Sequence, residues 1–327
     1  MVGNKNVKQI NLKTMFNKNG FLLLITLFFV ACEKYSDVEY PDFSVSTDSV
    51  IYKVGDTIKF KFTGSPDIIT FYSGELGFNY DYRDGRIAKP NYRLFFESQC
   101  RDGSQKDQIK ILVSADFDGN YTLDSIQNAT WIDLTSKFSL APPGGDATFY
   151  ASGWGDFYEF IDQNADTTDL YFAVKQVVMN QEIYGQGNLN RIRAFQIKST
   201  YETLNTPLYG YADMQWQLFS TPNKQPGRAA LEATQMTLRN SWWTTPENYY
   251  VYNTEDWVVS KLMRFPKSLD LGPDKSIGIK GITDVEMSSY SYIYLVPGTY
   301  KLVFKAINVN IKDQKENIQV LNITVTE

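Results

Sequence analysis

Ile58-Lys59-Phe60-Lys61-Phe62 alternates apolar and charged side chains without a break. Near the other end of the chain Tyr300, Leu302, Phe304 and Ala306 alternate with Lys301, Val303 and Lys305. A period of two puts every second side chain on one face, as a strand with one buried side requires. Turn signals bound these runs: Val54-Gly55-Asp56 and Gly64-Ser65-Pro66-Asp67 around the first, Pro297-Gly298 before the second. No segment between residues 43 and 72 holds a helical period, and Ile68 to Gly74 reads as a further strand. Near the C-terminus Ile318 and Val320 share one parity while Leu321, Ile323 and Val325 share the other. One extra residue switches faces, so a β-bulge at Val320-Leu321 is expected. The middle of the chain is strand-rich as well. Gln108 to Asp116 and Tyr121-Thr122-Leu123 flank Asp118-Gly119, a hairpin turn signal, and Leu170 to Val178 and Arg191 to Ile197 read as long strands. The expected fold class is all-β.

The N-terminus has a different character. Lys5, Lys8, Lys13 and Lys18 precede the apolar run from Phe21 to Ala31, and no acid occurs before Glu33. A basic leader, a short apolar stretch and a small residue make a secretory signal, and the run covers only about half of the roughly 20 residues a membrane span needs. Val30-Ala31-Cys32 resembles the bacterial lipobox, although Phe29 stands where that pattern has Leu, which leaves a plain secretory cut open. The resemblance implies that residues 1–31 are removed and that Cys32 is acylated, anchoring the chain to outer-membrane lipid. Residues 32–41 then form a polar tether. Glu33, Asp37 and Glu39 in it are similar to the acidic residues after the lipidated cysteine of Bacteroidetes surface lipoproteins, which implies an outward-facing protein.

Removing residues 1–31 from the 327 leaves 296, enough for more than one domain, and takes the net charge from −5 to −9. Such an acidic chain lacks the clustered cations that phosphate contacts require, so nucleic acid is not an expected partner. Only Cys32 and Cys100 are present, and an acylated Cys32 leaves Cys100 without a disulfide partner. The chain has no histidine, which removes Ser-His-Asp and Cys-His catalysis and histidine-ligated zinc. A glycosidase carboxylate pair survives that test, but no pair stands out among the acids, so the chain is read as not an enzyme and as needing no cofactor.

Val54-Gly-Asp-Thr-Ile-Lys-Phe60 with Ile69-Thr-Phe-Tyr-Ser-Gly74 resembles the front half of a PKD-type immunoglobulin-like domain. Ser289-Tyr-Ser-Tyr-Ile-Tyr-Leu-Val-Pro-Gly-Thr-Tyr300 resembles its back half. Neither half holds the roughly seven strands a sandwich needs. The expected parse is therefore a discontinuous PKD/Ig-like β-sandwich over 42–85 plus 272–327, interrupted by an insert over 86–271. The order of strand, Asp-Gly, strand, Thr-Trp, Ser-Gly, Tyr-Phe-Ala-Val and Phe-Gln-Ile in the insert is similar to a galactose-binding-like jelly roll. Taken together the chain resembles an uncharacterised family of Bacteroidetes lipoproteins whose members sit beside outer-membrane nutrient- and glycan-uptake systems.

Asp116-Phe-Asp118-Gly-Asn120 offers oxygen ligands of the kind calcium prefers. It departs from the EF-hand loop, with Tyr121 where Gly is required and Gln127 where the bidentate Glu should be, and a hairpin turn accounts for it without metal. Trp131, Trp216 and Trp257 lie in alternating runs and are expected in the core. Trp154 sits in the loop sequence Ser152-Gly-Trp-Gly-Asp156, and Trp242-Trp243 sits among Ser241, Pro246, Glu247 and Asn248. Adjacent tryptophans in a strand point to opposite faces, so at least one is expected to be exposed or in a loop. Sugars stack C–H faces on aromatic planes, and Glu247, Asn248 and Asn240 would partner their hydroxyls. The alternative is a loop tucked onto the sandwich by its own aromatics. The expected function is non-catalytic capture of a polysaccharide or oligosaccharide, as an accessory of an outer-membrane transporter complex. The competing class is an adhesion or scaffolding lipoprotein that binds proteins.

Overall fold

The computed structural model describes residues 37–243 and 247–327. The leader, Cys32 and Glu33 lie outside the described residues, as do Thr244, Thr245 and Pro246. The described chain is all-β, with five sheets and only the short α-helices Leu123–Asn128 and Gln181–Tyr184. Among the described residues no helix is long and apolar enough to cross a membrane. The chain divides into two compact units, residues 37–74 with 276–327, and residues 75–275.

In the first unit, strands from the two ends of the chain share sheets. Ile51–Lys53 lies parallel to Gln314–Thr326, Gly298–Val309 pairs Ile68–Tyr72, and Thr57–Thr63 pairs Ser289–Ile293. Ile58, Phe60 and Phe62 all point inward, as their alternation requires. Phe60 meets Phe304 edge-on at 5.1 Å, and Phe304 stacks on Phe71 at 4.7 Å. Burying rings of this size contributes roughly 1.5–3 kcal/mol each relative to exposure. Tyr294 is buried with its hydroxyl donating to the Ser73 carbonyl at 2.7 Å, so this ring enters the core with its polar tip satisfied.

The expected bulge at Val320-Leu321 is absent. Register runs without a shift from Gly298↔Val325 to Val309↔Gln314, and Ile318 and Val320 are simply on the outer face, 41% and 48% exposed. Val303, between Val320 and Tyr72 in neighbouring strands, forms a cross-strand row with them that gives the outward β-branched residues a packing role.

The second unit is a sandwich. One sheet holds Asn91–Arg101, Leu189–Tyr201 and Gln235–Arg239; the other holds Ile109–Ser114, Thr167–Val178 and Thr254–Val259. Leu94, Phe96, Ile192, Phe195 and Ile197 from the first sheet bury against Ile111, Val113, Phe172 and Val174 from the second. Ile192 and Phe195 have opposite parity, and a register break between Arg193 and Gln196, with Ala194 at φ +51°, brings both inside. The outer face of the second sheet carries a smaller core, Leu112, Ala173, Trp257 and Val259, covered by Phe117 and Ile126. Ile126 comes from the helix Leu123–Asn128, which Thr122 caps by accepting from the Ser125 N–H. The hairpin expected at Asp118-Gly119 is therefore corrected: the turn leads into a capped helix, because an apolar sheet face needs a cover there more than the sheet needs another strand.

Within this unit the strands Arg86–Ala88 and Leu269–Gly272 pair near the points where the chain comes in and goes out. The Arg86 guanidinium donates to both carboxylate oxygens of Asp274, at 3.0 and 2.7 Å, and both residues are buried. Asp274 also accepts from the Asn79 N–H, and Lys275 N–H donates to the Gly77 carbonyl. These bonds hold residues 75–85 and 272–275 in this unit, so the crossings fall at Gly74/Glu75 and Lys275/Ser276.

Candidate functional site

The helix Gln181–Tyr184 is only four residues long and owes its form to its ends. Asn180 caps it by accepting from the Glu182 and Ile183 N–H groups, and Gly185 stops it at φ +81°. It exposes Ile183 and Tyr184 and buries Gln181. The Gln181 amide donates to the Ser241 carbonyl at 2.9 Å and accepts from Gly187 N–H at 3.0 Å and from the Asn240 amide at 2.8 Å. Gln181 thus fastens the loop after Gln235–Arg239 to the sandwich. Nothing local marks it in the sequence, since its three partners lie 6, 59 and 60 residues away.

On that support the loop presents rings outward. Trp242 is 56% exposed and Trp243 is 44% exposed, so neither is core. Trp243 stacks on Tyr250 with centroids 4.8 Å apart and planes 28° from parallel. Arg228 lies over Trp242 at 4.6 Å while its Nε donates to the Asn240 carbonyl, and Gln225 accepts from the Trp242 N–H at 2.8 Å. Tyr252 is exposed nearby in sequence, and Tyr250 approaches Glu182 at 3.4 Å. The Gln225 segment is itself pinned by a buried ion pair, Lys224 Nζ to Asp256 at 2.7 Å, with Ser220 donating to the other carboxylate oxygen at 2.6 Å. Burial pushes the Lys224 amine below its ordinary range, against the attraction of Asp256.

Of the residues expected to partner a sugar, Glu247 and Asn248 are exposed beside the rings, Asn248 in the left-handed region at φ +52°. Asn240 is buried and committed to Gln181, so it supports the loop from beneath. Trp154 belongs elsewhere. It packs on Phe95 at 5.3 Å under the Lys198 ammonium, on the outer face of the Asn91–Arg101 sheet. Its neighbour Gly155 pairs Leu94, whereas the aromatic loop lies beyond the Arg101↔Leu189 end of the same sheet. At about 3.3 Å per residue that places them roughly 20 Å or more apart, so Trp154 is not part of one platform with Trp242 and Trp243.

Trp257 is buried, while Trp131 and Trp216 are half-buried against their cores. Asp116 accepts from Ser114 and from the Thr130 N–H, and Asp118 accepts from Ser125 and the Asn120 N–H. Hydrogen bonding from Thr130 and Ser114 holds the Asp116 carboxyl below its usual value, and bonding from Ser125 and Asn120 does the same for Asp118. These are turn and cap contacts, and they fall on Oδ1 of each carboxylate. Among the described residues no group of three or more His, Cys, Asp or Glu converges to hold a metal.

A family model described as Domain of unknown function (DUF5017) matches residues 31–209. No curated protein matches the chain. The matched span starts one residue before Cys32 and ends with the strand Leu204–Tyr209, ahead of the aromatic loop.

Proposed function

The chain belongs to the DUF5017 family, a domain of unknown function, and from that premise we propose that it is a lipid-anchored outer-membrane protein that captures a glycan without catalysis. The observation that carries the reading is the exposed ring pair Trp243–Tyr250 beside exposed Trp242, held on a loop by buried polar bonds and edged by Glu247, Asn248 and Glu182. Two indoles left in water forgo roughly 25 cal/mol per Å² of apolar area, so their exposure is best accounted for by a partner that covers them. The sandwich of residues 75–275 supports reading that unit as a galactose-binding-like jelly roll. The tyrosine-rich strand and its Pro297-Gly298 turn support a PKD/Ig-like flanking unit. The leader and Cys32 support export and acylation, and the acidic tether supports an outward orientation beside a nutrient-uptake system of the Bacteroidetes type. A protein partner is the second reading, favoured by Ile183, an aliphatic side chain 71% exposed next to the rings.

Affinity electrophoresis on a polysaccharide panel tests the glycan reading. Trp242→Ala with Trp243→Ala is expected to abolish retention while moving Tm by no more than a few degrees. Trp131→Ala is the control: its Nε1–H donates to the Ile126 carbonyl at 2.7 Å and its ring packs on Trp257 at 5.7 Å, so Tm should fall. Full retention by the double variant, or unfolding as early as the Trp131 variant, would remove the loop from the function. For the anchor, Cys32→Ser should take up no radiolabelled palmitate, and equal labelling of the variant and the natural chain would refute acylation at Cys32.

A further inference from the structure

The inserted sandwich is not filled to its end. A cavity of about 390 Å³ lies where the inward positions of its strands change character. Along Asn91–Arg101 the inward residues run Leu94, Phe96, Ser98, Cys100, and along Leu189–Tyr201 they run from Ile192 back to Asn190. Ile109 and Leu140 supply apolar wall, and Lys106 and Asp107 stand exposed at the mouth.

Four amides of the lining are used up by the protein, the first being Gln99, which donates to the Ala147 carbonyl and accepts from the Arg191 guanidinium. Gln105 donates to the Met179 and Gly185 carbonyls and accepts from Gln108. Gln108 accepts from both the backbone N–H and the side-chain amide of Asn188, whose oxygen accepts from Gly103 N–H. Asn190 is different. It is 3% exposed, it lines the cavity, and its Nδ2 has no hydrogen-bond partner among the described residues. Nδ2 itself is shut off from the open space, and a half-turn of the amide about its last bond would carry this bare donor to the cavity face, where an acceptor the chain does not itself supply would satisfy it.

The lining also says what kind of acceptor. The interior has amide, hydroxyl and thiol groups but no carboxylate or guanidinium, and the two charges at the mouth are opposite in sign. An anionic or cationic ligand would lose its hydration without gaining a counter-charge. A neutral polyol presents oxygens that both donate and accept, with C–H faces to lie on Ile109 and Leu140. The volume is near the lower end of ligand pockets, about 300–1,000 Å³. Position points the same way. A Cβ added at Gly187 would come within 2.8 Å of Val178, 2.9 Å of Asn240 and 3.3 Å of Gln108, so one tightly packed segment separates the cavity from the aromatic loop.

We propose that this cavity binds a single neutral sugar ring, with the Asn190 amide turned so that Nδ2 donates to one of its oxygens. The proposal rests on the glycan reading and extends it: the loop grips the chain and the cavity selects an uncharged residue. Cys100 lines the cavity and reports on it. Burial pushes its thiol up to about 11, so alkylthiolation is slow and governed by access.

In the full chain carrying Cys32→Ser, Cys100 is the only thiol. Its modification by methyl methanethiosulfonate is timed with galactose, glucose, mannose or N-acetylglucosamine present, and with glucuronate as the anionic control. At least one neutral sugar should slow modification about tenfold while glucuronate does not. Asn190→Leu should abolish the protection with Tm unchanged or raised, because a bare donor has been removed. Ala141→Leu, which narrows the cavity from its rim, should abolish it independently. The proposal is overturned if no sugar protects, if glucuronate protects as well as glucose, or if Cys100 never reacts. It is also overturned if Asn190→Leu lowers Tm yet keeps protection, the mark of an amide that holds only water. Trp242→Ala with Trp243→Ala should lose polysaccharide retention but keep sugar protection of Cys100, so the loop and the cavity can fail separately.

Discussion

Asp256→Ala is expected to destabilise the inserted unit by about 3–5 kcal/mol, enough to lower its Tm by roughly 10 °C. The Lys224 side chain is 1% exposed and that of Asp256 is 0% exposed, with 2.7 Å between them and Ser220 on the remaining carboxylate oxygen. Desolvating two ions is costly, and the pair recovers that cost only while both are present. Removing the carboxylate leaves an ammonium in a dry site, where it sheds its proton or drags water in. Lys224→Met with Asp256→Leu removes both charges and should return stability to near the natural value or above it. Urea unfolding of the three chains measures this. A single variant within about 1 kcal/mol of the natural chain would mean the pair is wetter than its burial indicates. Because Gln225 follows Lys224 and accepts from Trp242 N–H, the single variant should also weaken glycan retention at temperatures where it is still folded.

The second large effect depends on pH. Burial pushes the Asp274 carboxyl up, but the Arg86 guanidinium and the Asn79 N–H outweigh it and hold the group below its ordinary value. A carboxyl depressed by folding contributes stability that is complete above its unfolded value, about 3.9, and lost as pH falls through the folded one. Asp274→Asn keeps the shape but removes the charge, leaving half-exposed Glu202 at 3.3 Å as the remaining anionic partner of buried Arg86 among the described residues, beside the Tyr201 hydroxyl and the Tyr82 ring. The expected cost at about pH 7 is roughly 3–5 kcal/mol, shrinking towards zero at about pH 2, where the natural carboxyl is protonated too. Denaturant unfolding at the two pH values checks it. An equal gap at both would show that the carboxylate charge is not the source.

The strands were legible because a period of two survives any tertiary context in which one face is buried. Where parity breaks, the same pattern has two physical solutions. At Ile192/Phe195 the chain inserts a residue, with Ala194 paying in an unusual φ, whereas at Val320/Leu321 it keeps register and leaves two aliphatics outside. Sequence parity alone does not choose between them, because the choice depends on what the neighbouring strand offers. The helix Leu123–Asn128 was hidden because six residues are too few to display a period, although Thr122 and Ser125 stand at capping distance. That at least one of Trp242 and Trp243 is exposed followed from their adjacency and turn-forming surroundings, whereas the exposure of both did not. The cavity did not, since Ser98, Cys100 and Asn190 read as ordinary strand residues until the two sheets show which end stays open.

The pairing of Arg86–Ala88 with Leu269–Gly272 also bears on how the chain assembles in time. Strands of the flanking unit that must meet are separated by the roughly 200 residues of 75–275, and closing a free loop of that length carries an entropy cost that grows as about (3/2)RT ln n. An insert that folds first, with its two ends tied by Arg86 and Asp274, turns that long loop into a short one before the flanking sheet has to form. The order of events is then set by topology: insert, junction, outer sandwich. A variant loosened at the junction should accordingly show its delay in the refolding of tyrosine-rich 289–300, far along the chain from the altered residue.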